Sequence, residues 1–325
     1  MLRTMIIAKT ISELADYSIN RIAVACGNFD GLHQGHRSII QQLKDSALAS
    51  HAEPVILTFT PHPRTVLFGH KIPKINTPEK QAELLEELGI KAWVRLEFSK
   101  ELAALEAEDF IKTHFVDSKV QISDFCVGSQ WRFGAGRKGD IKLLESLKLF
   151  KIHPVQELIS TSTKDKFSSS HIRQKLQNGD FKEAETMLSR PYRLRGHVKK
   201  GLGLATEKLK YATANLNLEE EHLPLMGVIA IRARIFEDNV AGPWMDAICN
   251  IGYAPTFKEK EGHGLTLEIH FFDFQRDLYG KDIEVEFIKK IRDEEKFDSI
   301  DLLKQQIIKD EKSAREILIN YKNNL

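Results

Sequence analysis

The sequence predicts a doubly wound parallel α/β sheet followed by an antiparallel six-stranded β-barrel with a C-terminal helix. Three observations lead there. In the first half, short apolar runs at residues 22–26, 54–60 and 125–127 read as strands buried on both faces, with amphipathic stretches between them. Past Arg190-Pro191 the period changes, and Ile229, Ile231, Ala233 and Ile235 share one face of an alternating segment. Similar segments at 192–198, 212–218, 245–251, 265–274 and 282–291 lie at short intervals with no helix between them, which argues a closed antiparallel barrel. A length of 325 residues accommodates two domains, and the change of period divides them into 1–187 and 188–325.

Strand 22–26 runs into a glycine-punctuated turn, and Ile39, Ile40 and Leu43 at helical spacing start a helix between residues 35 and 37. Residues 79–88 form a surface helix closed by Gly89, 92–96 a strand and 107–115 a helix. Ile172 and Leu176 mark a helix that stops at Gly179, and Asp180 caps the next one, which runs to Leu188. Asp298 or Ser299 caps the C-terminal helix, whose apolar side is Leu302, Leu303, Ile307 and Ile308.

Composition excludes several classes. The chain is 42% hydrophobic and 29% charged with a formal net charge of +1, which gives no case for a dedicated nucleic-acid or membrane partner. No apolar run approaches membrane-spanning length, and the first residues hold too short an apolar patch for a signal peptide. Cys26, Cys126 and Cys249 are odd in number, far apart and set in apolar segments, so they read as buried small hydrophobes in a reducing cytoplasm.

The chemistry concentrates in Gly27-Asn28-Phe29-Asp30-Gly31-Leu32-His33-Gln34-Gly35-His36. A strand, a glycine-rich turn and a helix start aim free backbone N–H groups at whatever fills the crevice. His33 and His36, three apart, face the same way and add imidazole donors, so the stretch reads as a phosphate site. Pro61-His62-Pro63 fixes a histidine at the end of the next strand. Gly128-Ser129-Gln130-Trp131-Arg132-Phe133-Gly134-Ala135-Gly136-Arg137-Lys138-Gly139 combines glycines, aromatics and cations, fit to cover a flat ring and touch phosphates. Ser168-Ser169-Ser170-His171-Ile172-Arg173 offers hydroxyls at a helix start and a cation one turn in. Taken singly, the serines also read as a helix cap and the loop as a solvated turn.

The first stretch resembles the nucleotide-binding signature of the His-x-Gly-His nucleotidyltransferases, in the form used by bacterial bifunctional riboflavin kinase/FAD synthetases. Phe-x-Pro-His-Pro and the serine segment resemble further motifs of that family, with Ser170 in place of threonine and Gln130-Trp131 in place of an acid or asparagine and a phenylalanine. The resemblance implies an ATP site for adenylylating FMN, with His33, His36, Ser169, Ser170 and Arg173 catalytic. It also implies nucleotide contacts from Gly27, Phe29, Asp30, Gly35, His62 and Gln130.

The second half resembles the riboflavin kinase domain at Ala212-Thr213-Ala214-Asn215-Leu216, at Asn250-Ile251-Gly252-Tyr253-Ala254-Pro255-Thr256-Phe257, and from Leu267-Glu268-Ile269-His270 to Tyr279-Gly280. It implies that Thr213 and Asn215 hold Mg²⁺ and the ATP phosphates, that Glu268 is the base for the riboflavin 5′-hydroxyl, and that Arg292 belongs to the flavin-side loop. Alternation puts Glu268 with Thr266 and His270, opposite Leu267 and Ile269. One stretch departs from the family. Residues 201–212 lack two expected glycines and a proline and gain Glu207, which predicts weakened phosphate binding. The expected activity is riboflavin to FMN and FMN to FAD, both with ATP. The alternative is an FAD synthetase whose vestigial kinase domain binds flavin.

Overall fold

The computed structural model describes residues 5–70, 72–156, 158–159, 166–199, 214–217, 223–238, 240–253, 265–274 and 276–323. By contact it divides into two units, Met1–Ile72 with Pro78–Ser169, and Pro73–Thr77 with Ser170–Leu325.

The first unit holds six strands: β1 (Ile6–Ala8), β2 (Arg21–Cys26), β3 (Glu53–Thr60), β4 (Ala92–Glu97), β5 (Gln121–Gly128) and β6 (Lys151–Val155). All pair in parallel, in the order β1-β4-β3-β2-β5-β6. β3 and β4 lie on one side of β2, and β5 and β6 on the other. The crevice beyond the carboxyl ends of β2 and β5 is therefore the switch point where this class of sheet binds ligands. The helices are α1 (Gln34–Ala49), α2 (Pro63–Phe68), α3 (Pro78–Glu87), α4 (Lys100–Ala104), α5 (Ala107–Ile111) and α6 (Ile141–Leu147).

The unbroken apolar run of β2 has a two-sided explanation. Ile22, Val24 and Cys26 enter a core with Phe110, Phe115 and Phe125. Ala23 and Ala25 face a second core with Ile40 and Leu43 of α1 and Trp93 of β4. Small residues on that side let the helix approach, and each fully buried aliphatic side chain contributes roughly 1.5–3 kcal/mol. The segment expected as one helix over 107–115 is α5 followed by a π-helical turn at Lys112–Val116, which turns Phe115 inward. β1, β6 and the short α2, α4 and α6 are additions to the expected elements; β1 is three residues long and Pro154 interrupts the pattern of β6.

The second unit begins with α7 (Ser169–Asn178), its first residue belonging to the first unit, and α8 (Phe181–Leu188). Asp180 stands before α8, but its side chain makes no cap bond: its backbone (φ −79°, ψ 57°) is not the extended form that aims a cap inward, and its carboxylate lies 3.7 Å from Lys175. The strands are β7 (Arg193–Lys199), β8 (Ala214–Asn217), β9 (Gly227–Glu237), β10 (Val240–Ala241), β11 (Met245–Tyr253), β12 (Leu265–Phe271) and β13 (Asp282–Arg292). They run in the order β10-β9-β11-β12-β8-β7-β13, and a β9–β13 pairing closes all but the two-residue β10 into the six-stranded barrel. Leu216, Leu267 and Ile251 form one cross-strand row and Ala214, Ile269, Cys249 and Ile229 the next, all buried inside.

The C-terminal helix is α9 (Ile300–Asn323), capped by Ser299, whose Oγ accepts the Leu302 N–H at 3.2 Å. Its buried face differs from the expected one. Asp310, Ala314 and Leu318 are buried, with Ala314 and Leu318 packed on Ala230 and Phe272, whereas Leu302 and Ile308 are 48% and 61% exposed. Asp310 holds Arg292 of β13, and of the expected apolar side Leu303 and Ile307 are half-buried while Leu302 and Ile308 face outward.

Candidate active sites

In the first unit the loop after β2 is built under strain. Phe29 (φ 50°) and Leu32 (φ 46°) both take the left-handed conformation, at about 1–3 kcal/mol each. Both side chains are fully buried, which holds the turn in place. His33 occupies the N-cap of α1: its Nδ1 accepts the His36 backbone N–H at 3.3 Å, so its proton sits on Nε2. The two imidazoles stack with centroids 3.7 Å apart, and Phe29 lies 5.1 Å from the His36 ring. Gly35 is required by this arrangement, since a Cβ there would press on the His33 ring at 3.2 Å and stand 3.5 Å from the Phe167 carbonyl. Gly27 similarly leaves room for the Phe29 ring.

Two distant segments join this loop. His62 caps α2 by accepting the Arg64 N–H at Nδ1, and its Nε2 lies 2.9 Å from the side-chain amide of Asn28. Ser169, 139 residues from Asp30, donates its hydroxyl to the Asp30 carbonyl at 2.8 Å. Ser169 is thus joined to the histidine loop within the first unit. Asn28 went unnoticed in the sequence, because nothing local to it signals a bond 34 residues away.

Gln130 stands exposed just past the end of β5. The aromatics beside it are committed elsewhere: Trp131 stacks on Phe133 at 4.6 Å and lies 5.6 Å from Phe125. The glycines of that loop serve packing, since a Cβ on Gly134 or Gly139 would collide with Ala107 of α5. Phe133 is buried in the core, whereas Trp131 is half-buried against it. Ser170 occupies the first turn of α7, and Arg173 donates through Nε to the Pro73 carbonyl at 2.5 Å.

On the barrel, register assembles the second site. Glu268 of β12 is paired with Asn215 of β8 on one side and Asn250 of β11 on the other. Direct cross-strand partners share a face, so a carboxyl and two amides stand in one row on the outer wall, opposite the buried Leu267 and Ile269. Burial of the half-covered Glu268 carboxyl, with Glu294 adding like charge, raises it above the usual carboxylate range. Asn250 belongs to a stretch singled out in the sequence, but its place beside Glu268 is revealed only by register. Arg292 is occupied: its Nε and Nη2 donate to Asp310 at 2.8–3.2 Å, and its guanidinium lies 5.5 Å from the Phe297 ring. Thr213 and the departing stretch 201–212 lie outside the described residues.

Comparison with known proteins agrees with this two-site layout. Residues 16–171 match the FAD synthetase family and residues 188–318 the riboflavin kinase family. The chain is 34% identical over 305 residues to the bifunctional riboflavin kinase/FMN adenylyltransferase of Bacillus subtilis (strain 168), covering 93% of each chain. It is 31% identical over 316 residues to that of Escherichia coli (strain K12), covering 96% of this chain and 97% of the other. Among solved structures it is similar to a Streptococcus pneumoniae protein described as a macrolide-efflux protein, with a TM-score of 0.74 and 27% identity over 96% of this chain and 99% of that one. Two full-length relatives above 30% identity and a family match to each half establish that the chain belongs to the bifunctional riboflavin kinase/FMN adenylyltransferases.

Proposed function

We propose that the chain makes FAD from riboflavin in two ATP-dependent steps, phosphoryl transfer in residues 188–325 and adenylyl transfer in residues 1–187. In the first step the riboflavin 5′-oxygen attacks the γ-phosphorus of ATP, ADP leaves, and Glu268 takes the hydroxyl proton. A raised carboxyl pKa suits a base that must compete for that proton. Asn215 and Asn250 flank the reacting centre as neutral hydrogen-bonding groups. Among the described residues no cluster of His, Cys, Asp and Glu side chains gathers to hold a metal unaided. That suits Mg²⁺ carried on the ATP phosphates, with the Asn215 amide oxygen and Thr213 as its protein ligands. The cation, when bound, neutralises charge on the transferring group.

In the second step a phosphate oxygen of FMN attacks the α-phosphorus of a second ATP and pyrophosphate leaves. No covalent enzyme intermediate is needed, so positioning and charge neutralisation are the whole task. His33, His36, Ser169, Ser170 and Arg173 are the donors for the phosphates; Gly27, Phe29, Asp30, Gly35, His62 and Gln130 shape or line the nucleotide site. The single observation that carries this reading is the Ser169–Asp30 hydrogen bond, which ties the serine motif to the histidine loop. A synthetase with a vestigial kinase is the less favoured reading, because the full-length relatives carry both activities in their names.

Substrates and products are ATP, riboflavin, FMN and FAD. Among the described residues no helix is long and apolar enough to cross a membrane. The three buried free thiols suit the cytoplasm. The test is incubation with riboflavin, ATP and Mg²⁺, products separated over time. FMN followed by FAD is expected. FAD formed only from added FMN would leave the synthetase alone, and flavin bound without turnover would overturn both steps.

A further inference from the structure

The α/β unit holds two arginines whose charge the fold leaves uncancelled, and both stand at the end of the sheet where the histidine loop begins. Arg95 lies two residues short of the end of β4 and is registered with Thr58 of β3. Gly27 carries the β2–β3 ladder one step past Cys26, its N–H donating to the Leu57 carbonyl at 3.1 Å, and so stands beside Thr58. Gly27, Thr58 and Arg95 therefore form one row across three adjacent strands, which sets Arg95 about 10 Å from the loop's first residue, Cα to Cα. Residues two apart on a strand share a face. Ile56 and Trp93, the pair two places back, enter the core that Ile40 and Leu43 of α1 also enter. Arg95 thus projects on the α1 side of the sheet, the side on which His33 and His36 start the helix.

Its surroundings hold it in place without supplying an anion. The guanidinium lies 5.0 Å from the centre of the Trp93 ring, and the indole is fixed by its Nε1–H, which donates to the Thr58 hydroxyl at 2.8 Å. Arg95 Nε is enclosed without an acceptor, and among the described residues the group makes no side-chain hydrogen bond or ion pair. Arg37, next to His36 in the first turn of α1, shows the same pattern: half-buried, with an enclosed and unbonded Nε and no ion pair among the described residues. At the opposite end of β2 the fold does satisfy an arginine: Arg21 donates to the Ser50 carbonyl at 2.9 Å and to the Gln121 side chain at 2.7 Å. A covered cation with an orphaned donor is unfavourable for folding, so two of them beside one loop ask for an anion that comes with the ligand.

Resting on the reading of the first unit as the adenylyl-transfer domain, we propose that Arg95 and Arg37 are further phosphate-binding residues of that site. Each offers guanidinium nitrogens to a substrate phosphate, that of FMN or the terminal phosphates of ATP. The planar fork of arginine pairs two phosphate oxygens at once and stays charged throughout the working pH range.

The test follows FAD formation by the full chain at varied FMN and varied ATP, with riboflavin phosphorylation as the internal control. Arg95→Gln is expected to raise one of the two adenylylation KM values about ten-fold or more and to leave FMN formation within about two-fold. A rise for FMN assigns Arg95 to the acceptor's phosphate, and a rise for ATP assigns it to the terminal phosphates. Arg95→Met, which keeps an apolar stem on Trp93, should be as impaired as Arg95→Gln, whereas Arg95→Lys should recover part of the affinity; a role in packing alone gives the reverse for Met. Arg37→Gln should raise a KM in the same way, and it carries the test if the Arg95 variants do not fold. Unchanged KM values in one folded glutamine variant remove that residue from the site, and in both they overturn the inference. Failure of the underlying reading looks different, because the unaltered chain would then make no FAD from FMN. In that case pyrophosphate should still raise the melting temperature of the unaltered chain more than that of Arg95→Gln, and equal shifts overturn the inference.

Discussion

The two halves of this chain build their sites in opposite ways. In the α/β unit the functional groups sit in loops beyond strand ends, and hydrogen bonds bring together segments as far apart as Asp30 and Ser169. In the barrel the groups sit on strand faces, and pairing register sets Asn215, Glu268 and Asn250 side by side. A loop site places backbone N–H groups and strained residues where phosphates bind, at the expense of local stability. A strand site takes its precision from the ladder, so its side chains are held before any substrate arrives. Adenylyl transfer needs phosphates wrapped and neutralised, whereas phosphoryl transfer from ATP to a hydroxyl needs one base held in place. Each architecture suits its step.

The sharpest way to break that contrast is to remove one base. Glu268→Gln should cut riboflavin phosphorylation by about 10²–10⁴-fold while FMN adenylylation continues, measured as separate initial rates. The converse variant, His36→Ala, should cut FAD formation from FMN by about 10²–10³-fold and leave FMN formation in place. Loss of both activities in either variant would mean that the halves do not act separately.

Smaller effects sharpen it. Asp310→Ala leaves the Arg292 guanidinium without its buried partner and should destabilise the barrel by about 3–5 kcal/mol in urea titration. Ser169→Ala removes only the hydroxyl bonded to Asp30, worth about 0.5–1.5 kcal/mol, and should appear as a few-fold rise in the ATP KM for adenylylation alone. The smallest effect has the opposite sign. Because the Glu268 carboxyl is raised in the folded chain, the fold binds its proton more tightly than the unfolded chain does. Stability from this group is present below the ordinary carboxylate pKa and is lost as pH rises through the folded value. Glu268→Gln should therefore raise the melting temperature slightly at neutral pH and hardly at all in acid.

The sequence made the loop site legible because its signals are local: Gly-x-His-x-Gly-His at a strand end, Pro-His-Pro at the next, and serines at a helix start. Its strands were legible for the same reason, since Ile22 to Cys26 is apolar throughout and only a sheet covered on both sides explains that. What stayed hidden is non-local. The partnership of Asn28 with His62 and the row of Asn250 with Glu268 both depend on which strands lie adjacent. The expected side of α9 was legible in part: Leu303 and Ile307 are half-buried, but the most buried positions, Asp310, Ala314 and Leu318, follow from which residues of the barrel they meet. Trp131 and Phe133 show a related limit: an aromatic beside glycines reads equally as a ligand platform and as core, and packing puts Phe133 in the core with Trp131 half-buried on it.

The burial of all three cysteines has a practical consequence. Cys26 and Cys249 are raised by desolvation alone, and Cys126 is pushed up to about 12 by burial, partly offset by Ser46. Thiolate is the form that peroxide, disulfides and alkylating reagents attack, and none is available near neutral pH in the closed fold. A maleimide should label this chain only as fast as it opens, which turns its thiols into a clock for local unfolding.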